Sequence, residues 1–93
     1  MAHQFLIHRT GDHVGVAVVD IGRGQTVAGV FMDTDRSIEV VSLSDVPLGH
    51  KIALAVLDAG APVIEYGTQI GLTLVPVQTG EHVHTHNIKT ARW

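Results

Sequence analysis

Cysteine is absent from the 93 residues. That excludes a disulfide framework, thiolate-held zinc and cysteine-held iron–sulfur clusters within this chain, and it fits a reducing cytoplasm. Aromatic residues make up only 4%, so a core has to be built mostly from Val, Ile, Leu and Ala. Charged residues account for 16% against 45% hydrophobic, a balance too apolar for a disordered chain. The six Lys and Arg are scattered and the formal net charge is -3, so no basic stripe for nucleic acid is present. An anionic small ligand stays compatible, because a site needs local positive charge only. No apolar run approaches the roughly 20 residues of a membrane helix. Residues 1–12 lack a basic segment followed by a long apolar stretch, so no signal peptide is expected.

The length suits one domain, residues 1–93. Short runs of alternating polarity, bounded by turn residues, predict strands over 13–19, 25–31 and 38–43. Residues 32–37 read as a polar loop and 44–49 as a turn or cap. The segment 50–57 is mixed. Ile52, Ala53, Val56 and Leu57 fit a helical face, yet Asp58-Ala59-Gly60 stops it, which predicts a strand leading into one helical turn. Further strands are predicted over 62–66, 68–75 and 81–88, separated by Gly67, Pro76 and Gly80. The expected fold class is all-β with at most one short helix. A Gly-x-x-Val/Ile unit recurs at Gly24/Val27, Gly49/Ile52, Gly60/Val63 and Gly80/Val83. Glycine accepts positive φ where the chain reverses, and the β-branched residue starts a buried strand. Ordinary hairpin punctuation accounts for this pattern.

Seven histidines are many for this length, and three alternate in Glu81-His82-Val83-His84-Thr85-His86-Asn87. In a strand, residues i and i+2 share a face about 6.5–7 Å apart, so two imidazoles can converge on one metal ion. His82 and His86 would then lie about 13 Å apart, too far to chelate together. A metal site therefore uses His84 with one neighbour and ligands from elsewhere. Solvated histidines, or imidazoles bonded to turn carbonyls, are the plainer alternative. Gly49-His50-Lys51 joins a flexible backbone position, a group titrating near neutrality and a point cation. Such a set can bind a carboxylate or sulfonate or assist proton transfer, or can simply be solvated. No nucleophile–base pair, phosphate loop or dinucleotide fingerprint stands out, and Gly22-x-Gly24 is too short for one. Asp20, Asp33, Asp35, Asp45, Asp58, Glu65 and Glu81 are dispersed among turns, where local hydrogen bonding explains them.

Three ordered runs carry a resemblance. They are Val46-Pro47-Leu48-Gly49-His50-Lys51-Ile52-Ala53-Leu54, Val63-Ile64-Glu65-Tyr66-Gly67-Thr68-Gln69-Ile70-Gly71 and Gly80-Glu81-His82-Val83-His84-Thr85-His86-Asn87. Together they resemble the N-terminal, antifreeze-like (SAF) domain of the altronate/galactarate dehydratase family, over nearly the whole chain from Asp12-His13-Val14-Gly15-Val16-Ala17 onward. The resemblance implies a small barrel-like β-clip fold. In the family this domain is fused to, or encoded apart from, a much larger catalytic portion, and the end soon after the histidine run resembles the separate form. The terminal segments Met1-Ala2-His3-Gln4-Phe5-Leu6 and Thr85 to Trp93 resemble small subunits of lyases that convert 3-sulfolactate to pyruvate and bisulfite. Dehydration of altronate by a small subunit of the same kind is the alternative. A purely structural subunit and a stand-alone ligand-binding module are the non-catalytic ones.

The implied chemistry is β-elimination: a base removes the proton beside the carboxylate, enolate-like charge develops and the β-substituent leaves. The resemblance also implies iron (Fe2+), a large catalytic partner subunit, an oligomer and a small anionic hydroxy-acid substrate. On the matched runs, His50, Lys51 and His86 are the candidate catalytic residues. Lys51, Tyr66 and Asn87 are candidate substrate contacts, with Lys51 for the anionic end, and His82 and His84 are candidate metal ligands.

Overall fold

The recurring glycines belong to a longer unit than hairpin punctuation. In a computed structural model, which describes residues 3–90, an apolar residue stands three positions before each glycine: Ile21, Val46, Leu57 and Val77. (Residues 1–2 and 91–93, parts of the terminal segments compared above, lie outside the described residues.) Gly24, Gly49, Gly60 and Gly80 have φ of 83, 86, 76 and 93°, the left-handed conformation that the third position of a type II turn demands. Across each turn the next N–H donates back. Gln25 bonds the Gly22 carbonyl, His50 that of Pro47, Ala61 that of Asp58 and Glu81 that of Gln78, at 2.9–3.2 Å. The apolar residues ahead of the turns pair with one another, Ile21 with Val46 and Leu57 with Val77, through reciprocal backbone bonds of 2.8–2.9 Å.

These pairings divide the core. Ile21, Val27, Val46 and Ile52 from the first two units pack with Phe5, Ile7 and Ala17. Leu57, Val63, Val77 and Val83 from the last two pack with Val14 and Ala53. Burying aliphatic groups of this kind contributes roughly 1.5–3 kcal/mol per Val, Leu or Ile, and with few aromatics the fold depends on the number of such contacts.

The strands are β1 (Phe5–Ile7), β2 (Val14–Ala17), β3 (Thr26–Phe31), β4 (Ser37–Val41), β5 (Lys51–Ala53), β6 (Pro62–Glu65), β7 (Thr68–Thr73), β8 (His82–Val83) and β9 (Ile88–Thr90). Six form a sheet in the order β4-β3-β1-β2-β5-β8, which curls into a half-barrel, and β6-β7-β9 form a second sheet. Every pairing is antiparallel except β1 with β3. The molecule is all-β, as expected from its sequence.

Two local expectations change. No helix occurs among the described residues: β5 is the strand expected to open the segment 50–57, and the helical turn expected after it is instead a bend that leads to the Leu57 bridge. Ile52 packs into the first cluster and Ala53 into the second, the two-residue alternation of a strand covered on both faces. Consecutive apolar residues there mimic a helical stripe. The strand predicted over 81–88 is also two strands: β8 stops at Val83, a turn follows, and β9 pairs with β7 in the other sheet. β1 has no counterpart in the sequence reading, since three residues give a single alternation.

Candidate functional site

Four histidines meet at the edge strand β8. His50 leaves the turn after Pro47, and its carbonyl accepts the Ala17 N–H at 2.9 Å, which fixes its backbone beside β2. His82 lies opposite Ile52 in the β5–β8 pairing. Its side chain therefore shares a face with Ile52 and His50. Beyond Val83 the chain turns because of Asn87. This buried amide accepts the His84 N–H at 2.9 Å through Oδ1 and donates through Nδ2 to the His82 carbonyl at 2.8 Å. The backbone N–H groups of Asn87 and Ile88 both donate to the His84 carbonyl at 3.0 Å.

The turn gathers the rings. His50 Nδ1 and His82 Nε2 are 2.8 Å apart, a hydrogen bond in which one ring donates and the other accepts. The His50 ring stacks on that of His84 with centroids 4.3 Å apart. His86 comes back beside His82 with centroids 5.1 Å apart. The separation of about 13 Å expected for an extended strand is thus corrected by the Asn87 turn. One nitrogen from each of His50, His82 and His84 lies within 4.8 Å of the others. Burial holds the His82 imidazole below the ordinary histidine pKa, and the neighbouring His86, His50 and His84 act the same way. Three imidazole nitrogens form a donor set that suits iron, zinc or copper, so the residues present fit the iron that the resemblance implies.

Lys51 lies next to His50 in sequence but belongs to a different group. Its Nζ is 3.7 Å from Oε1 of the buried Glu65, whose Oε2 is 3.6 Å from His8 Nε2. Tyr66 stacks on His8 with centroids 3.7 Å apart and planes 13° from parallel. Tyr66 and Gly67 form the two-residue loop of the β6–β7 hairpin, with φ of 57 and 68°, the pattern of a type I′ turn. The buried Asp12 carboxylate accepts the N–H groups of Tyr66, Gly67 and Arg9 at 3.0–3.2 Å and so secures that loop. His13 Nδ1 accepts the Ile64 N–H at 3.1 Å close by.

Of the sequence candidates, then, His50, His82, His84 and His86 come together. Lys51 and Tyr66 join His8 and Glu65 instead, and Asn87 lies beneath the histidines as the residue that shapes their turn. His8 and Asp12 carry no signal of their own in the sequence, and Glu65 reads there as one of the turn carboxylates. The one available signal for Glu65 was its place at the end of an alternating strand, where Val63 and Glu65 share the buried face.

Comparison with known proteins places this geometry. Residues 3–91 match the family described as the altronate/galactarate dehydratase SAF domain. The chain belongs to this family. Its SAF-domain relatives come in two lengths. The (2R)-sulfolactate sulfo-lyase subunit alpha of Chromohalobacter salexigens is 40% identical over 94 residues, spanning the whole of both chains. The protein of the same name in Paracoccus pantotrophus is 42% identical over 64 residues, 69% of this chain and 96% of that protein. The altronate dehydratase of Escherichia coli is 40% identical over 79 residues, 85% of this SAF domain but only 15% of the dehydratase. The same domain thus occurs as a subunit and as part of a much longer chain.

Proposed function

We propose that this SAF domain is the small subunit of a lyase that converts 3-sulfolactate to pyruvate and bisulfite. The observation that carries the reading is the match to a sulfo-lyase alpha subunit along the full length of both proteins. The histidine face supports it, because elimination needs a proton acceptor and stabilisation of developing negative charge. In the reaction a base takes the proton from the carbon bearing the carboxylate and hydroxyl. That electron pair forms a carbon–carbon double bond, the C–S bond breaks with sulfite taking its electrons, and the resulting enol tautomerises to pyruvate.

His86 is exposed at the rim of the face and is the residue of this chain placed to take up that proton. Iron would find imidazole ligands in His50, His82 and His84, and when bound it supplies positive charge opposite the developing enolate. Lys51, paired with Glu65 at 3.7 Å, stays the candidate for the anionic end of the substrate.

A large partner completes the site by covering this face. Three exposed apolar residues are linked, through the chain or its backbone hydrogen bonds, to the elements that carry the histidines. Leu48 precedes His50 by two residues. The Leu43 N–H donates to the Gly80 carbonyl, two residues before His82, and the Leu74 N–H donates to the Asn87 carbonyl. Exposed apolar side chains on such elements are candidates for burial by a partner.

The test is to produce the chain with the large subunit encoded beside it and to assay sulfite release from 3-sulfolactate, with altronate dehydration as control. Sulfite release that requires both chains is the expected result. Activity confined to altronate would keep the elimination chemistry and replace the leaving group, and no complex with activity on neither would leave a ligand-binding module.

A further inference from the structure

The histidine face concentrates nitrogen donors, and among the described residues none of its four rings is paired with a carboxylate. We infer that His50, His82 and His84 form a seat for one divalent transition-metal ion that this chain holds unaided, with coordination positions left open for an anionic oxygen ligand. The inference rests on geometry within the chain and does not depend on which group the lyase expels.

The spacing is the first argument. Two nitrogens bound to one ion at about 2.0–2.1 Å lie roughly 3 Å apart, and His50 Nδ1 and His82 Nε2 already stand 2.8 Å apart. His84 brings a third nitrogen within 4.8 Å of both. The second argument is support. His50 is fixed by backbone bonds to Pro47 and Ala17 on either side of its peptide. Asn87 grips the peptide groups of His82 and His84 with both ends of its amide. Ligands held in this way lose little freedom on binding, which favours affinity.

Charge is the third argument. The adjacent carboxylate, Glu81, turns back to accept the Gln78 N–H at 3.0 Å, and the Glu65 carboxylate faces His8 and Lys51. An ion in the seat therefore keeps its full double positive charge. Imidazoles select iron, cobalt, nickel, copper or zinc over magnesium and calcium, which prefer oxygen. An uncompensated ion with three neutral ligands favours a carboxylate or alkoxide oxygen in its open positions.

Cobalt(II) titrated into the full chain without any partner tests this, read by visible absorption and calorimetry. One ion per chain is expected, displaced by Zn2+ and indifferent to excess Mg2+. Azide should change the cobalt spectrum by entering an open position. His84 is exposed, so His84→Ala keeps the fold, and it should weaken binding by at least about a hundredfold, since even outer partners of metal ligands are worth about 10–100-fold. His3→Ala, a histidine remote in the chain, should bind as the native protein does. Absent binding, equal binding by His84→Ala, or a cobalt spectrum unmoved by azide would overturn the inference. None of these readouts involves sulfolactate or the large subunit, so the seat and the lyase reading can fail separately.

Discussion

One buried amide sets the histidine geometry. Replacing Asn87 by Ala leaves the His84 N–H and the His82 carbonyl without their partner. Unsatisfied buried groups of this kind cost about 1–3 kcal/mol each, so Asn87→Ala should lower the urea midpoint with an unchanged slope. Asn87→Asp, which keeps the acceptor for His84, should recover part of the loss. His82 makes a pH prediction. Its imidazole takes up a proton less readily in the folded chain than in the unfolded one, whose histidine titrates near 6.5. Below that pH the unfolded state binds more protons, so the stability of the metal-free chain should fall as pH drops through 6.5 and beyond. Thermal unfolding from pH 8 to 5 should show this slope, and His82→Gln should flatten it. The identity of the site histidines was legible, because three alternate in the sequence and a fourth follows a glycine. Their arrangement was not, because strand geometry was extended through His86. Asn87 was the clue available: Asn is a turn former, and a turn there halves the reach of the segment.

At the scale of elements, the repeated turn explains why so short a chain forms nine strands among its described residues. Each unit supplies a bridging apolar residue, a reversal at glycine and a β-branched residue for the core. Half of that unit was visible as Gly-x-x-Val/Ile. The other half was hidden, because a single bridging residue such as Leu57 has no alternation to reveal it. Pairing of the units is a long-range property and leaves no local mark. A different glycine makes the sharpest test of packing. A Cβ on Gly29 would be driven into the ring of Phe5, the largest fully buried side chain among the described residues. Gly29→Ala should therefore cost about 1–3 kcal/mol through overpacking, measurable by denaturant unfolding. Phe5→Leu in the same chain should relieve part of that cost, which a defect of β3 alone would not allow.

For the whole molecule, the SAF domain leaves Leu43, Leu48 and Leu74 exposed, each linked through the chain or its backbone hydrogen bonds to the elements that carry the histidines. Relatives in which this domain is 15% of a longer dehydratase show that such a domain can work as part of a larger protein. Leu48→Asp should lower affinity for the large subunit by at least about tenfold, or 1.4 kcal/mol, while Met32→Asp, exposed just after β3 and remote from the histidine elements in sequence, should not. Calorimetric titration of the two chains reads the difference. The all-β class was legible at this scale, since it depends on local alternation and on glycine spacing. The exposed leucines were not, because exposure of a leucine depends on the packing of distant strands. The most direct measurement is sulfite release by the assembled enzyme carrying His84→Ala in the small subunit. An intact complex with turnover lowered by at least about a hundredfold is expected. An intact complex that releases sulfite at the native rate would contradict a part for the histidine face in the reaction.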